Sequence, residues 1–299
     1  MKNGLMKFIV TILSFFVLLF VCDKCIVKVE DKLYATKDNK INYASFNTDN
    51  AEIVILGSSR ASHHYVPQIF EDSLGMSCVN LGVDGHGILY NYALFHLLTR
   101  NNTPKVIIYE YCGFDWEEGG LSTYASNTYL APAYGRSDVV DTLINAVGKN
   151  YKRVLTLLNT YKYNGRVHNV VFNSHQIANN KGYQPLYGKF EGVLTEDNVD
   201  ENEEVKVNAD KVIYLERLIK VCRQKGIKLL FAISPSLTEG STQGYELLSD
   251  LCGNDIPLLN HIAESKNLEM YKDKTHLNND GARWYTAMVV EELKQILEL

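Results

Sequence analysis

The sequence predicts an α/β protein. The expected fold is a three-layer α/β/α sandwich around a mostly parallel five-stranded sheet. An N-terminal transmembrane helix and an inserted helical and loop region are added to it. Three observations carry this reading. Short apolar runs alternate with amphipathic stretches, which implies a parallel sheet covered on both faces. The extreme N-terminus is uniformly apolar. The alternation stops once, for about ninety residues, which is too long for an ordinary connection.

Composition sets the frame. Of 299 residues, 46% are hydrophobic and 11% aromatic, too much apolar material for a disordered chain. A formal net charge of -5 without a basic cluster argues against nucleic acid as a partner. A mean hydropathy of -0.15 excludes a membrane bundle.

The elements follow in order. Lys2 and Lys7 precede an apolar run from Phe8 to Cys22, closed by Asp23 and Lys24. That run alone spans only about 22 Å as a helix. Adding Leu5, Met6, Cys25, Ile26 and Val27 brings it to bilayer length, with Lys7 and Lys24 snorkelling. The leading lysines place the N-terminus in the cytoplasm and the rest of the chain outside. An uncleaved single-pass anchor is favoured. A signal peptide wants small residues at its cut site, unlike Phe20, Val21 and Cys22. A lipoprotein signal wants one before the cysteine, where Val21 stands. The anchor is assigned to 1–28 and a polar, lysine-rich stalk to 29–50. The remainder, 51–299, forms the α/β domain, with an insertion at about 116–208.

Glu52–Leu56 reads as a buried strand ending in Gly57-Ser58-Ser59. Val66–Leu74 is a helix opened by Pro67. Ser77–Leu81 is a second strand and Gly82 to Gly87 a glycine-rich turn. Ile88–Thr99 has helical periodicity, and Lys105–Tyr111 is a third strand. The insertion, about 116–208, holds two helices, Asp138–Val147 and Tyr151–Thr160. It is rich in tyrosine (Tyr124, Tyr129, Tyr134, Tyr151, Tyr161, Tyr163, Tyr183, Tyr187) and closes on the acidic stretch 196–204. Ala209–Lys225 is an amphipathic helix stopped by Gly226. Lys228–Ser234 and Ile256–Leu259 supply strands four and five, and Asn279–Leu299 is the closing helix.

Ligand sites in such sheets lie at the carboxyl ends of the strands. Three pieces there can share one chemistry. Ser59 follows the first strand, near a helix start whose N–H groups can receive an oxyanion. Asn80-Leu81-Gly82-Val83-Asp84-Gly85 follows the second, where glycine permits close approach of backbone to substrate. Asp273-Lys274-Thr275-His276 precedes the last helix and can supply a base with its orienting carboxylate.

Together these pieces resemble the SGNH (GDSL) hydrolases over roughly 51–115 and 209–299. The family's Gly-Asp-Ser block is matched by Gly57-Ser58-Ser59, its Asn-x-Gly-x-x-Gly block by Asn80 to Gly85, and its Asp-x-x-His block by Asp273 and His276. The resemblance implies Ser59 as nucleophile, His276 as base and Asp273 as its orienter. It implies Gly85, Gly82 and Asn80 as the oxyanion and substrate-binding residues, with Gly85 favoured as the N–H donor and Asn80 tying the loop. No cofactor and no metal are needed.

Two departures stand out. Ser58 replaces the usual aspartate. Phe114 stands where the third block, here Cys112-Gly113-Phe114-Asp115, should offer an asparagine. The variant first block and the anchor resemble the family's glycan-modifying branch. The function expected is hydrolysis or O-acyl transfer on a surface or exported glycan, or on a small ester. A multi-span membrane acyltransferase is the partner this branch suggests. The alternative is a degenerate relative that binds glycan or a partner without catalysis.

Other candidates read as structural. Ser59 also suits a helix N-cap, Asp273 a turn and His276 a surface loop. His63 and His64 are adjacent and point apart on a helix, so a shared metal is not expected. One of them, or His86, can line the pocket. Asp115, Glu117 and Glu118 read as a solvated loop start. Lys181-Gly182-Tyr183-Gln184-Pro185 reads as a turn able to reach the cleft. Cys22-x-x-Cys25 lacks the further ligands of a zinc site. Cys78, Cys112 and Cys222 sit in apolar surroundings, as free core cysteines do.

Overall fold

The structure, a computed structural model, describes residues 2–36, 38–46, 50–115, 124–163, 177–192, 206–238 and 242–299. It divides into two compact units. One comprises Met1–Lys37 with Thr128–Ser174, the other Asp38–Asn127 with His175–Leu299.

The larger unit is the α/β sandwich. Five strands, β1 (Ile53–Gly57), β2 (Cys78–Asn80), β3 (Val106–Glu110), β4 (Lys228–Ile233) and β5 (Leu258–Asn260), lie in the order β2-β1-β3-β4-β5. Every pairing among them is parallel. β1 and β3 are buried along their whole length, as central strands covered on both faces must be. One face of the sheet packs Tyr65, Phe70, Tyr271, Tyr285, Val289, Val290 and Leu293 against Ile53, Ile55, Val106 and Ile108.

The helices of this unit are α2 (Lys40–Phe46), α3 (Ser59–His64), α4 (Pro67–Leu74) and α5 (Ile88–Thr99). Later come α8 (Ala209–Lys225), α9 (Thr242–Cys252) and α10 (Asn279–Leu297). Pro67 opens α4, and Gly226 caps α8 in the left-handed conformation. α3 is the helix start expected after Ser59. Two helices go beyond the expected elements: α2 is too short to show a period, and α9 lies between strands four and five, where no element is assigned. α2 falls inside the expected stalk and packs on α5.

The smaller unit contains α1 (Lys2–Ala35), α6 (Asp138–Asn145), α7 (Lys149–Leu157) and a 3-10 turn, Asn159–Tyr163. α1 is long and apolar enough to cross a membrane. It continues well past residue 28, because the chain after Asp23 is held by side-chain contacts instead of hanging free. Asp23 accepts four hydrogen bonds from Asn159 and Thr160. Val27, Tyr34 and Tyr163 form a small buried cluster. The inserted helices α6 and α7 were expected two residues or so from where they begin and end.

Gly57 closes β1 at φ 138, and a Cβ there would stand 2.6 Å from the Glu110 carbonyl oxygen. Strain and collision act together at this one position. Gly57→Ala is expected to cost about 1–3 kcal/mol, or to prevent folding. The midpoint of urea unfolding checks this.

Candidate active site

The site is assembled at the carboxyl end of the sheet. β1 turns sharply at Gly57-Ser58, and Ser59 becomes the first residue of α3. As a first helical residue, its N–H has no intrahelical acceptor. The turn is pinned by Gly57 N–H donating to Asn91 Oδ1 at 3.1 Å and Val83 N–H donating to the Gly57 carbonyl at 3.0 Å.

The loop before α10 brings the other two residues. Tyr271 and Leu277 pair as an isolated antiparallel bridge, so the loop between them is a closed hairpin. Asn278 caps α10, its Oδ1 accepting the N–H groups of Asp280 and Gly281. His276 Nε2 lies 2.8 Å from Ser59 Oγ. His276 Nδ1 lies 3.0 Å from both carboxylate oxygens of Asp273. The expected serine, histidine and aspartate therefore meet in one hydrogen-bonded line. Burial pushes the Asp273 carboxyl up, but the N–H of Thr275 and the ring and N–H of His276 outweigh it. The net direction is below the ordinary value. A carboxylate held ionised beside Nδ1 fixes the tautomer that leaves Nε2 facing the hydroxyl.

The second loop is partly committed elsewhere. Asn80 is buried. Its Nδ2 donates to the carbonyls of Ala61 and Tyr65, and its Oδ1 accepts the Gly82 N–H at 3.0 Å. Asn80 thus ties the loop to α3. Gly82 lies flat on that helix, where a Cβ would be 2.6 Å from the Ser62 nitrogen. Its N–H is spent on Asn80, so Gly82 is a packing glycine and not an oxyanion donor. Gly85 sits at φ 72, in the left-handed region, with open space where a Cβ would stand. The side chain of Phe114 lies outside the described residues, as do Glu117, Glu118, the acidic stretch 196–204 and the side chain of Tyr124.

Asp115 departs from its reading as a solvated residue. It is buried, accepting N–H groups from Ile88 at 3.0 Å and Cys112 at 3.1 Å. Burial raises its pKa to about 7, with those bonds offsetting only part of the cost. Asp115 closes the start of α5, whose own N-cap, Gly87, has no side chain to do so.

Beneath Ser59 lies a network that the motifs did not announce. Arg60, the next residue, is buried, with Nε 3.0 Å from Glu110 Oε1. Its terminal nitrogens donate to the carbonyls of Tyr111 and Ser234. Glu110, wholly buried at the end of β3, also accepts from Tyr65 OH, Ser234 N–H and Ser234 Oγ. His64 Nδ1 meets Ser234 Oγ at 2.7 Å, and its Nε2 accepts the Leu277 N–H at 2.9 Å. Leu277 follows His276, so His64 fastens the base's loop to the nucleophile's helix. Burial and the nearby Arg60 cation keep His64 neutral, well below its ordinary pKa. The signal in the sequence was a glutamate inside an apolar strand, which demands a cation.

His63 faces the other way. Its Nδ1 lies 2.6 Å from the Gln184 carbonyl and its Nε2 3.1 Å from Asp84 Oδ2. Two acceptors on one ring favour the imidazolium. Burial opposes that charge, yet Asp84 and Gln184 prevail and raise the His63 pKa. The His63 and His276 rings meet edge to face, with centroids 5.6 Å apart. The Lys181–Pro185 turn does reach this region. The Lys181 carbonyl accepts the Asn80 N–H at 2.8 Å, and Gln184 N–H donates to the Ser62 carbonyl at 3.0 Å. His86 is turned onto the Tyr90 ring and the Asp84 carbonyl.

Lys40, expected on a solvated stalk, is instead buried and donates to the Gly82 carbonyl. The reason is α2, which carries it under the Gly82–Asp84 loop. Burial lowers its pKa to about 7, with Asp84 pulling the other way.

No protein-family model matches the chain, and no curated protein does. Among solved structures it is similar to a GDSL-like lipase from Bacteroides thetaiotaomicron VPI-5482, at 11% identity over 86% of this chain and 98% of that one, with a TM-score of 0.39. It is similar to a two-domain esterase active on acetylated mannans, at 11% identity over 90% of this chain and 52% of that one, with a TM-score of 0.42. An acetyl xylan esterase follows at 11% identity, 82% of this chain, 98% of that one and a TM-score of 0.39. Likenesses this distant carry no chemistry, which rests on the geometry alone.

Two outcomes are expected. Arg60→Met removes the cation facing buried Glu110 and should cost about 3–5 kcal/mol in chemical unfolding, while Arg60→Met with Glu110→Leu recovers most of it. The second concerns pH. The folded Lys40 value, about 7, lies below the ordinary lysine value of 10.5. The unfolded chain therefore binds more protons between those values, and this group's contribution to stability rises as pH climbs through that window. Unfolding midpoints taken at about pH 6 and about pH 9 should show a steeper rise in the parent than in Lys40→Met.

Proposed function

We propose that this protein is a serine-dependent esterase or O-acyltransferase that forms an acyl-enzyme on Ser59. The observation that carries the reading is the unbroken line from Ser59 Oγ through His276 to Asp273. His276 takes the Ser59 proton as the oxygen attacks an ester carbonyl. Asp273 holds the ring and stabilises the imidazolium that forms. The N–H groups of Ser59 and Gly85 receive the oxyanion. His276 then returns the proton to the departing alcohol. Water or a sugar hydroxyl accepts the acyl group, which divides hydrolase from transferase.

The substrate we assign is an acylated glycan, or a smaller ester of that type, outside the cytoplasm. Two features support this. α1 is apolar over spanning length and carries Lys2 and Lys7 at its N-terminal end, as an anchor with its N-terminus inside would. The segment beside the Asp273–His276 loop carries Tyr187, 71% exposed, and the Leu186 carbonyl accepts the Asn279 N–H at 2.7 Å. An exposed tyrosine ring suits a sugar face. Retention of α1, against cleavage, is supported by the four bonds Asp23 makes within its own unit. The division into an anchor, a short connector and an interrupted hydrolase-like domain belongs to the same proposal. A multi-span acyltransferase is the partner such a protein would serve.

The competing reading is a non-catalytic glycan- or partner-binding relative. It draws on Phe114 standing where the family's asparagine would be, which leaves two backbone donors for the oxyanion.

The test uses the full chain in detergent micelles with a chromogenic acetyl ester and a fluorophosphonate probe. Expected are covalent labelling lost in Ser59→Ala, and turnover lowered about 10⁴-fold in Asp273→Asn with folding retained. Equal labelling of parent and Ser59→Ala, with no turnover above buffer, would overturn the catalytic reading and favour binding alone.

A further inference from the structure

The smaller unit holds a carboxylate in an unusual place. Asp23 interrupts the apolar surface of α1, which resumes with Cys25, Ile26 and Val27. The stretch from Leu5 to Val27 spans roughly 34 Å as a helix, the hydrocarbon thickness with a little over. Asp23 then falls at the outer edge of the apolar layer, where an uncompensated charge is costly.

The structure compensates it completely. Asn159 donates its N–H at 2.9 Å and its Nδ2 at 3.0 Å to Oδ2. Thr160 donates its N–H at 3.0 Å and its Oγ1 at 2.9 Å to Oδ1. The Asp23 side chain is only 5% exposed as a result. The contact runs on along the helix. Tyr163 OH donates to Asp31 at 2.6 Å, and the Tyr34 and Tyr163 rings lie 5.3 Å apart. The corner joining α7 to the 3-10 turn is thereby fixed at the level of Asp23.

The two residues just before Asn159 are Leu157 and Leu158, exposed at 65% and 52%. Lys149, Lys152 and Arg153 on α7 are exposed as well. On α1 itself, Ile26, Val29 and Leu33 carry an exposed apolar face beyond Asp23. Apolar tips flanked by cations are the pattern of a surface that enters the boundary between headgroups and acyl chains.

We propose that the corner between α7 and the Asn159–Tyr163 turn is a membrane foot, with Leu157 and Leu158 inserted at the acyl boundary and the α7 cations on anionic headgroups. This rests on α1 being a membrane span. The foot fixes how deep α1 sits, because Asp23 cannot leave Asn159 and Thr160 without losing all four of those donors and keeping only Lys24, 3.9 Å away. The occupant is the lipid surface, since the same helix that positions the two leucines already carries the span.

Site-directed spin labelling of the full chain tests it. Cys22→Ser and Cys25→Ser remove the exposed cysteines, the other four being buried. Single cysteines then replace Leu157, Leu158, Leu13 as the span reporter and Asp250 as an exposed reference. The protein is placed in vesicles of phosphatidylcholine with phosphatidylglycerol. Relaxation by oxygen, which concentrates in lipid, is compared with relaxation by a water-soluble nickel chelate. The ratio at positions 157 and 158 is expected several-fold above that at 250, and to fall when the anionic lipid is omitted. A water-like ratio at 157 and 158 with a lipid-like ratio at 13 would overturn the foot and leave the span standing. A water-like ratio at 13 would overturn both. Labels at 157 and 158 shielded from both reagents would assign the corner to a protein partner and overturn the lipid reading.

Discussion

One buried ion pair organises the sandwich. Arg60 and Glu110 come from the first turn after β1 and the last residue of β3, the two strands at the centre of the sheet. Glu110 is wholly buried and Arg60 nearly so. A guanidinium in the interior is tolerable only if its charge is compensated, and here Nε lies 3.0 Å from a Glu110 carboxylate oxygen while the terminal nitrogens donate to two carbonyls. The demand fixes α3 in rotation as well as position, because Arg60 must point inward under the sheet's edge. Ser59, one residue earlier, is turned out toward the loop of His276. The nucleophile's direction is set by its neighbour's charge.

The same carboxylate reaches the base. Glu110 accepts from Ser234, Ser234 meets His64, and His64 accepts the N–H of Leu277 beside His276. Three loops that arise far apart in the chain are thus tied to one buried group. His64 contributes because it is neutral. A charged ring would have no lone pair for Leu277 and would lie against the Arg60 cation. On the other side His63 is pushed the opposite way, its two ring nitrogens set against Asp84 and the Gln184 carbonyl. Of two adjacent histidines on one short helix, one is lowered by burial with Arg60 adding to it, and the other is raised because Asp84 and Gln184 outweigh burial.

Much of this was legible in the sequence. Ile88–Thr99 and Ala209–Lys225 form helices with the bounds their periodicity and caps imply. The five strands fall within a residue or two of the apolar runs. Ser59, Asp273 and His276 meet because short motifs at strand ends encode local turns, and the parallel sheet brings those ends together. What could not be read depends on long-range pairing. Lys40 looks like any stalk lysine until α2 carries it under Gly82. Asp115 looks like a loop acid until the start of α5 claims it. Gly82 and Gly85 are alike as letters, and only the Asn80 side chain decides which N–H is spent. The Glu110 clue was present, but nothing local names Arg60 as its partner.

A single rule runs through both units: a charge taken from water must be met in full, and meeting it fixes structure. In the sandwich the charge is Glu110, and what it fixes is the turn holding Ser59. In the smaller unit the charge is Asp23, and what it fixes is the corner at Asn159 and Thr160. The rule also explains why α1 is not a plain hydrophobic peg. A peg without Asp23 would slide in a bilayer at small cost per ångström. With Asp23 bound to four donors, any slide must either carry the whole corner along or strip the carboxylate of its partners. Depth is therefore coded by a polar residue, in a helix whose apolar residues fix only its length.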